Sequence, residues 1–257
     1  MTGNISRRTA LGGLAMGATA GSLAPGAALG EANPPAASAS SGGVCILWPQ
    51  AVEGPYYFDP KLVRSDITGG RPGTPVKLSL KFIELGSCRP LSNVRVDVWH
   101  ADAGGVYSGY GSQGDKRTIS TKGETYLRGT QMTDAGGGVN FTTIYPGWYP
   151  GRTPHIHVKA FLDETALVTG QMYFPDDVST RVYREQAPYT SREAPDTTNA
   201  TDGIYRDGQK DGGGTVLVVG QDAGLITAAL VIAVDRSGKA AAAKQGWGGF
   251  VRGLLGK

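Results

Sequence analysis

Tyr149 stands six residues before His155, and a second imidazole follows at His157, in the segment YPGWYPGRTPHIHV from Tyr145 to Val158. Along an extended strand the side chains alternate between faces, so a His-x-His pair presents both rings on one side, a chelating arrangement for a metal ion. Pro154 disfavours helix at Thr153 and supports the extended reading. Phenolate oxygen is a hard anionic donor suited to ferric iron, whereas imidazole serves several first-row metals. A bound metal lowers the pKa of a phenol, ordinarily about 10, so that it binds as phenolate at neutral pH. Two tyrosinates and two neutral imidazoles would hold Fe(III) with one positive charge left over for hydroxide or an anionic substrate. Taken singly, these residues have plainer roles: a His-x-His pair in a hydrogen-bonded strand, a tyrosine packed on a sheet, Arg152 in a solvated turn.

The elements that must position these residues read as strands. The chain has 257 residues, enough for one well-buried domain, and its 40 glycines and 15 prolines between short apolar runs favour strands joined by tight turns. From Pro75 the sequence VKLSLKFIEL alternates apolar and polar positions at Val76, Leu78, Leu80 and Phe82. Gly86 to Asn93 turns the chain back into Val94 to His100 with the same period, a β-hairpin or Greek-key pattern. Further strands are expected at Glu124 to Gln131, Val139 to Tyr145, His155 to Leu162, Leu167 to Phe174, Thr215 to Val219 and Leu225 to Val234. Between the fourth and fifth of these, Pro175 to Gly214 is a long polar stretch with isolated tyrosines.

The ends of the chain read differently. Ser6-Arg7-Arg8-Thr9 followed by an uncharged stretch from Ala10 to Gly30 resembles a twin-arginine export signal over residues 1–30, although Ala10 departs from the bulky residue usual there; a retained membrane anchor is the alternative. Cleavage fits either near Ala28 to Glu31 or after the Ala37-x-Ala39 triplet. Residues 31–43 read as a disordered linker, 44–236 as the folded domain, and 237–257 as a basic Ala/Gly-rich tail, either unstructured or a short amphipathic helix. No later run approaches the roughly 20 apolar residues that span a bilayer, so the mature protein is expected to be soluble and outside the cytoplasm. Cys45 and Cys88 are the two cysteines; in an exported chain they are expected to pair, the alternative being two buried thiols. A net charge of +3 with scattered basic residues excludes nucleic acid as the expected partner.

Three segments together carry a resemblance. VDVWHADAGGVYSGY at Val96 to Tyr110, TTIYPGWYPGRTPHIHV at Thr142 to Val158 and GQMYF at Gly170 to Phe174 resemble the intradiol ring-cleavage dioxygenases, the family of catechol and protocatechuate dioxygenases. The resemblance implies an all-β fold, a β-sandwich of mostly antiparallel strands with long loops around a prealbumin/Ig-like core. It also implies a non-haem Fe(III) site in which Tyr107, Tyr149, His155 and His157 are the ligands, Tyr149 being the one displaced by substrate. Arg152 matches the arginine that stabilises negative charge on the attacked ring carbon, and Gln171 a glutamine lining the same pocket. Tyr56 and Tyr57, in a Gly-Pro-x-Tyr segment, either face the substrate or pack in the core, and Tyr110 is the fallback ligand if the loop register differs by three.

The implied reaction takes a catechol-type substrate and O2, cleaves the ring between its hydroxylated carbons and inserts both oxygen atoms to give a cis,cis-muconate type diacid. Two other readings stay open. One is an iron-free β-sandwich binding module; the other is a zinc hydrolase using His155, His157 and His100, the last being otherwise a structural imidazole. The oligomeric state is open, because the helical N-terminal segment that builds the dimer of cytoplasmic catechol dioxygenases has no match here.

Overall fold

A computed structural model of the chain describes residues 45–114, 116–222 and 224–241. The export signal expected at 1–30, the linker at 31–43 and the tail beyond residue 241 lie outside the described residues. Eight strands run in chain order: β1 (Pro75–Glu84), β2 (Val94–Trp99), β3 (Arg128–Met132), β4 (Gly138–Ile144), β5 (His155–Leu162), β6 (Thr165–Tyr173), β7 (Val218–Asp222) and β8 (Leu225–Val234). Between β6 and β7 lie α1 (Asp176–Glu185), a 3-10 turn at Tyr189–Ser191 and α2 (Gly203–Lys210). The strands form two four-stranded sheets, ordered β4-β1-β8-β7 and β3-β2-β5-β6. Pairing is antiparallel except between β1 and β8, which run parallel. This is the expected all-β sandwich.

The period-two alternation decides which residues meet inside. Val76, Leu78, Leu80 and Phe82 of β1 are buried in one core with Val94, Val96 and Val98 of β2 and Ile156, Val158 and Ala160 of β5. The intervening residues of β2 and β5 therefore point to the outer face of the second sheet. There the register aligns Arg128, Trp99, His157 and Gln171 in one row across β3, β2, β5 and β6. That outer face is not left to solvent near the row, since Trp99, His155, His157 and Gln171 are all buried.

Three expectations are corrected. Gly86 to Asn93 does not close a hairpin: β1 pairs with β4 and β8 while β2 pairs with β3 and β5, so the turn passes between sheets. The third strand begins at Arg128 and not Glu124, because Leu127 adopts φ 54°, incompatible with an extended ladder. The strand expected at Thr215 starts at Val218; before it, Tyr173 N donates to Thr215 O (2.9 Å) and Leu217 N to Tyr173 O (2.8 Å), so this segment pairs with the end of β6 before crossing to the other sheet. The polar stretch from Pro175 also contains two helices that the strand pattern did not announce.

Cys45 and Cys88 form a disulfide with a Cα separation of 5.9 Å. It ties the start of the described chain to the turn after β1. From there Trp48 N donates to Ala233 O and Ala51 N to Thr169 O, both at 2.8 Å, which carries the backbone across to the outer face of the second sheet.

Candidate metal centre

Two loops and one strand bring the expected ligands together. His155 and His157, two apart on β5, point to the same outer face, and their Nε2 atoms are 3.2 Å apart. Tyr107 Oη lies 3.0 Å from His157 Nε2, and Tyr149 Oη lies 3.1 Å from His155 Nε2. All four side chains converge on one point.

The loops that deliver the two tyrosines are interlocked. Asp102 Oδ1 accepts from Gly104 N (2.9 Å) and Val106 N (3.0 Å), folding the turn before Tyr107. Asp102 O accepts from Gly147 N at 3.0 Å, just before Tyr149. A Cβ on Gly105, whose φ is +79°, would stand 2.1 Å from Trp148 O, and one on Gly147 would stand 2.1 Å from Asp102 O. Only glycine allows the backbones this approach.

Each ring is also held from behind. His155 Nδ1 lies 2.7 Å from Thr153 O, which can only accept, so the ring proton sits on Nδ1 and the Nε2 lone pair faces the centre. His157 stacks on Trp99 with centroids 4.7 Å apart and planes 13° apart. Tyr56 stacks on Tyr107 at 4.5 Å.

Arg152 borders the four donors. Its Nη1 reaches Tyr149 Oη at 3.3 Å, its Nη2 donates to Gln171 Oε1, and its Nε donates to Asp202 Oδ2 at 2.8 Å. Gln171 is fixed further by Tyr173 Oη, which donates to its Oε1 (3.0 Å), and by its own Nε2, which donates to Val52 O (3.3 Å). Tyr57 is engaged elsewhere, donating to Asp97 Oδ2 at 2.8 Å, so Tyr56 is the member of that pair that packs on an expected ligand, Tyr107. Tyr110 donates to Tyr57 O at 2.9 Å and does not meet the two histidines; Tyr107 does.

His100 is a structural imidazole. Its Nδ1 lies 2.8 Å from Ala101 O and its Nε2 2.7 Å from Thr143 Oγ1, which leaves no ring nitrogen for a three-histidine zinc site. Among the described residues no cluster of three His, Cys, Asp or Glu side chains stands where a metal ion could be held. The side-chain oxygens that stand beside the two Nε2 atoms are those of Tyr149 and Tyr107.

The electrostatics agree with a cation-seeking set. Burial pushes His155 down to about 3, with the Arg152 charge adding to it, and holds His157 well below its ordinary range. Both imidazoles are neutral donors. Burial pushes the phenols of Tyr107 and Tyr149 up, Tyr149 adding to the rise at Tyr107 and Arg152 opposing it at Tyr149. A multiply charged cation supplies what these phenols lack in order to ionise. Ligands about 2 Å from a shared centre stand about 3 Å from one another, the spacing these donors have. The donor set fits ferric iron.

Sequence reasoning missed Asp202, Trp99 and Tyr173. Asp202 had a signal: it precedes a short helix as its N-cap, with Oδ1 accepting from Ile204 N (2.9 Å) and Tyr205 N (3.1 Å). Trp99 and Tyr173 were legible only through the register, as the row partners of His157 and His155.

A family model described as Dioxygenase matches residues 52–185. The chain is 36% identical over 130 residues to the protocatechuate 3,4-dioxygenase beta chain of Burkholderia cepacia, an alignment covering 47% of this chain and 53% of the relative. The chain thus spans about half the length of that curated relative. Among solved structures, an intradiol ring-cleavage dioxygenase from Tetranychus urticae superposes with a TM-score of 0.67 at 29% identity, covering 75% of this chain and 96% of that one. The dioxygenase domain of a dioxygenase and carbohydrate-binding protein fusion from Streptomyces sp. SirexAA-E matches with a TM-score of 0.54 at 28% identity, covering 74% and 98%.

Proposed function

The chain belongs to the intradiol ring-cleavage dioxygenase family, and from that premise we propose that it is a non-haem Fe(III) dioxygenase that opens the ring of a catechol-type substrate between its two hydroxylated carbons. Both atoms of O2 enter the product, so a catechol becomes a cis,cis-muconate type diacid with atoms and electrons balanced. The observation that carries this reading is the convergence of Tyr107, Tyr149, His155 and His157 beside Arg152 and Gln171.

Tyr107, Tyr149, His155 and His157 would hold the ion. When bound, ferric iron supplies Lewis acidity that keeps the phenols and the catechol as oxyanions and draws electron density from the ring, opening it to dioxygen. The rest of the work falls to the chain. Tyr149, the donor in contact with Arg152, takes one catechol hydroxyl proton at Oη as it gives up its place to substrate, hydroxide takes the other, and the released phenol is retained by Nη1 of that guanidinium. Arg152 presents its remaining positive face to the ring carbon that gains negative charge, and Gln171 keeps the guanidinium plane in place through Oε1. Tyr56, over Tyr107, closes one wall and excludes water.

We read the protein as exported, with the twin arginine and the Cys45–Cys88 disulfide in support, because such bonds persist in oxidising compartments. Recovery of the chain only from the cytoplasm with its first residues intact would remove that part.

The deciding test is the visible spectrum of the iron-loaded protein before and after anaerobic catechol, followed by admission of O2. A phenolate-to-iron charge-transfer band that moves on catechol binding, with O2 uptake and diacid formation, is the expected result. A colourless protein that takes up no ferric iron overturns the reading in favour of a binding module.

A further inference from the structure

Asp202 is a buried group that no part of the proposed chemistry has used, and it sits at the junction of three structural features. Its side chain is fully buried, and its two oxygens divide their work. Oδ1 caps α2 through Ile204 N and Tyr205 N, and Oδ2 accepts from Arg152 Nε (2.8 Å) and Thr153 N (3.1 Å). Thr153 is the residue whose carbonyl orients His155. One carboxylate therefore fixes both the guanidinium and the backbone behind an expected ligand.

The alternatives for Arg152 make this hold consequential. A guanidinium has five donors on a flexible stem, and an acceptor on Nε anchors its plane at the stem end, which the Nη contacts to Gln171 and Tyr149 do not reach. With Nε on Asp202, Nη2 falls on Gln171 and Nη1 on Tyr149. Without it the plane is held only at its far edge, by Gln171 and by Tyr149, the donor expected to give way to substrate, and its positive face shifts from the position where ring charge develops. Misplacement of about 1 Å in a reacting group costs on the order of a hundredfold in rate.

We propose that Asp202 is a positioning residue, which acts through Arg152 by locking the guanidinium plane from the N-terminus of α2. The proposal rests on the dioxygenase reading of the site. Asp202→Asn and Asp202→Ser both keep a competent helix cap while removing the anionic acceptor for Nε. The expected result is a kcat for catechol lowered about tenfold to a hundredfold, with KM changed less than about threefold and iron content and charge-transfer band close to wild type in the folded variant, whose Tm falls because Arg152 loses its buried counter-charge.

A second readout needs neither iron nor turnover. In the metal-free protein the Arg152 Nε–H resonance, assigned by its loss in Arg152→Lys, is expected to exchange slowly with solvent and to lose that protection in both Asp202 variants. Fast exchange in the wild type, or unchanged protection in the variants, overturns the proposal even where a variant folds poorly. An unchanged kcat in a folded variant, or a loss of iron or of folded protein that accounts for the fall in kcat, overturns it as well. If the wild type shows slow exchange but no ring cleavage, the dioxygenase reading fails while the Asp202–Arg152 lock stands as architecture without its catalytic role.

Discussion

His100 carries a clear pH signature although it takes no part in the donor set. Burial, reinforced by the nearby Arg128 charge and opposed by the Ala101 carbonyl, lowers its pKa from 6.5 to about 4. As pH falls, the unfolded chain takes up a proton at this ring before the folded one does. The stability tied to a neutral His100 is whole above pH 6.5 and is lost progressively toward about 4, to a limit of about 3 kcal/mol. Denaturant titrations at two pH values across that window should show the wild type losing more stability than His100→Asn; equal losses would contradict it. The donors differ from one another in a testable way too. Tyr149→Phe should retain bound iron with a weakened charge-transfer band, whereas His157→Ala should lose the iron, as metal analysis would show. Equal iron content and identical spectra in the two variants would sink that ranking. The two imidazoles were legible in the sequence because their spacing put both rings on one strand face, whereas the two tyrosines were expected as ligands from the family resemblance of their segments. His100 was less so, since only its contacts with Ala101 and Thr143 show that both nitrogens are taken.

At the scale of elements, the two tyrosine loops behave as one unit. Gly147 faces Asp102 O so closely that a methyl group has no room, and Gly105 faces Trp148 O in the same way. Gly147→Ala should therefore cost about 2–4 kcal/mol of stability and lower iron retention, because the loops can separate only by moving Tyr107 or Tyr149. Thermal unfolding and metal content of that variant test this, and a stable variant with full iron would contradict it. The strands were readable because apolar and polar residues alternate cleanly, as in Val94 to Trp99. The helices were not, because α1 buries only Val178, Ser179, Val182 and Tyr183, and α2 contains Gly203 and Gly208. Their cues were at the ends: Asp176 and Asp177 in the first turn of α1, and Asp202 as the cap of α2.

Across the whole molecule, the Cys45–Cys88 bond closes a loop with a sequence separation of 43. In the chain-entropy account, a closure of that size stabilises by about 4 kcal/mol. A Cys45→Ser/Cys88→Ser double variant should show a lower denaturant midpoint by a corresponding amount. It should keep its iron band, since the bond lies outside the donor set. Loss of the band at a temperature where the fold persists would mean that the disulfide shapes the site as well. The segment running from Cys45 reaches the site through backbone contacts, at Ala51 with Thr169 and at Val52 with Gln171, and through the ring of Tyr56, which stacks on Tyr107. Its sequence announced no strand there; beside the Tyr56 ring it contributes carbonyl and amide groups that no side-chain pattern reveals.

The register that aligns Trp99, His157 and Gln171 has a consequence for quality control during folding. Slipping β5 by one residue would turn Ile156 and Val158 outward and drive both imidazoles into the apolar layer between the sheets. Such a product would be sticky on its surface and polar at its centre, which marks it for aggregation or degradation rather than for service as an inactive enzyme. Molecules that survive folding thus carry both rings on the outer face of the sheet. The placing of the two imidazoles is proofread by the hydrophobic core itself.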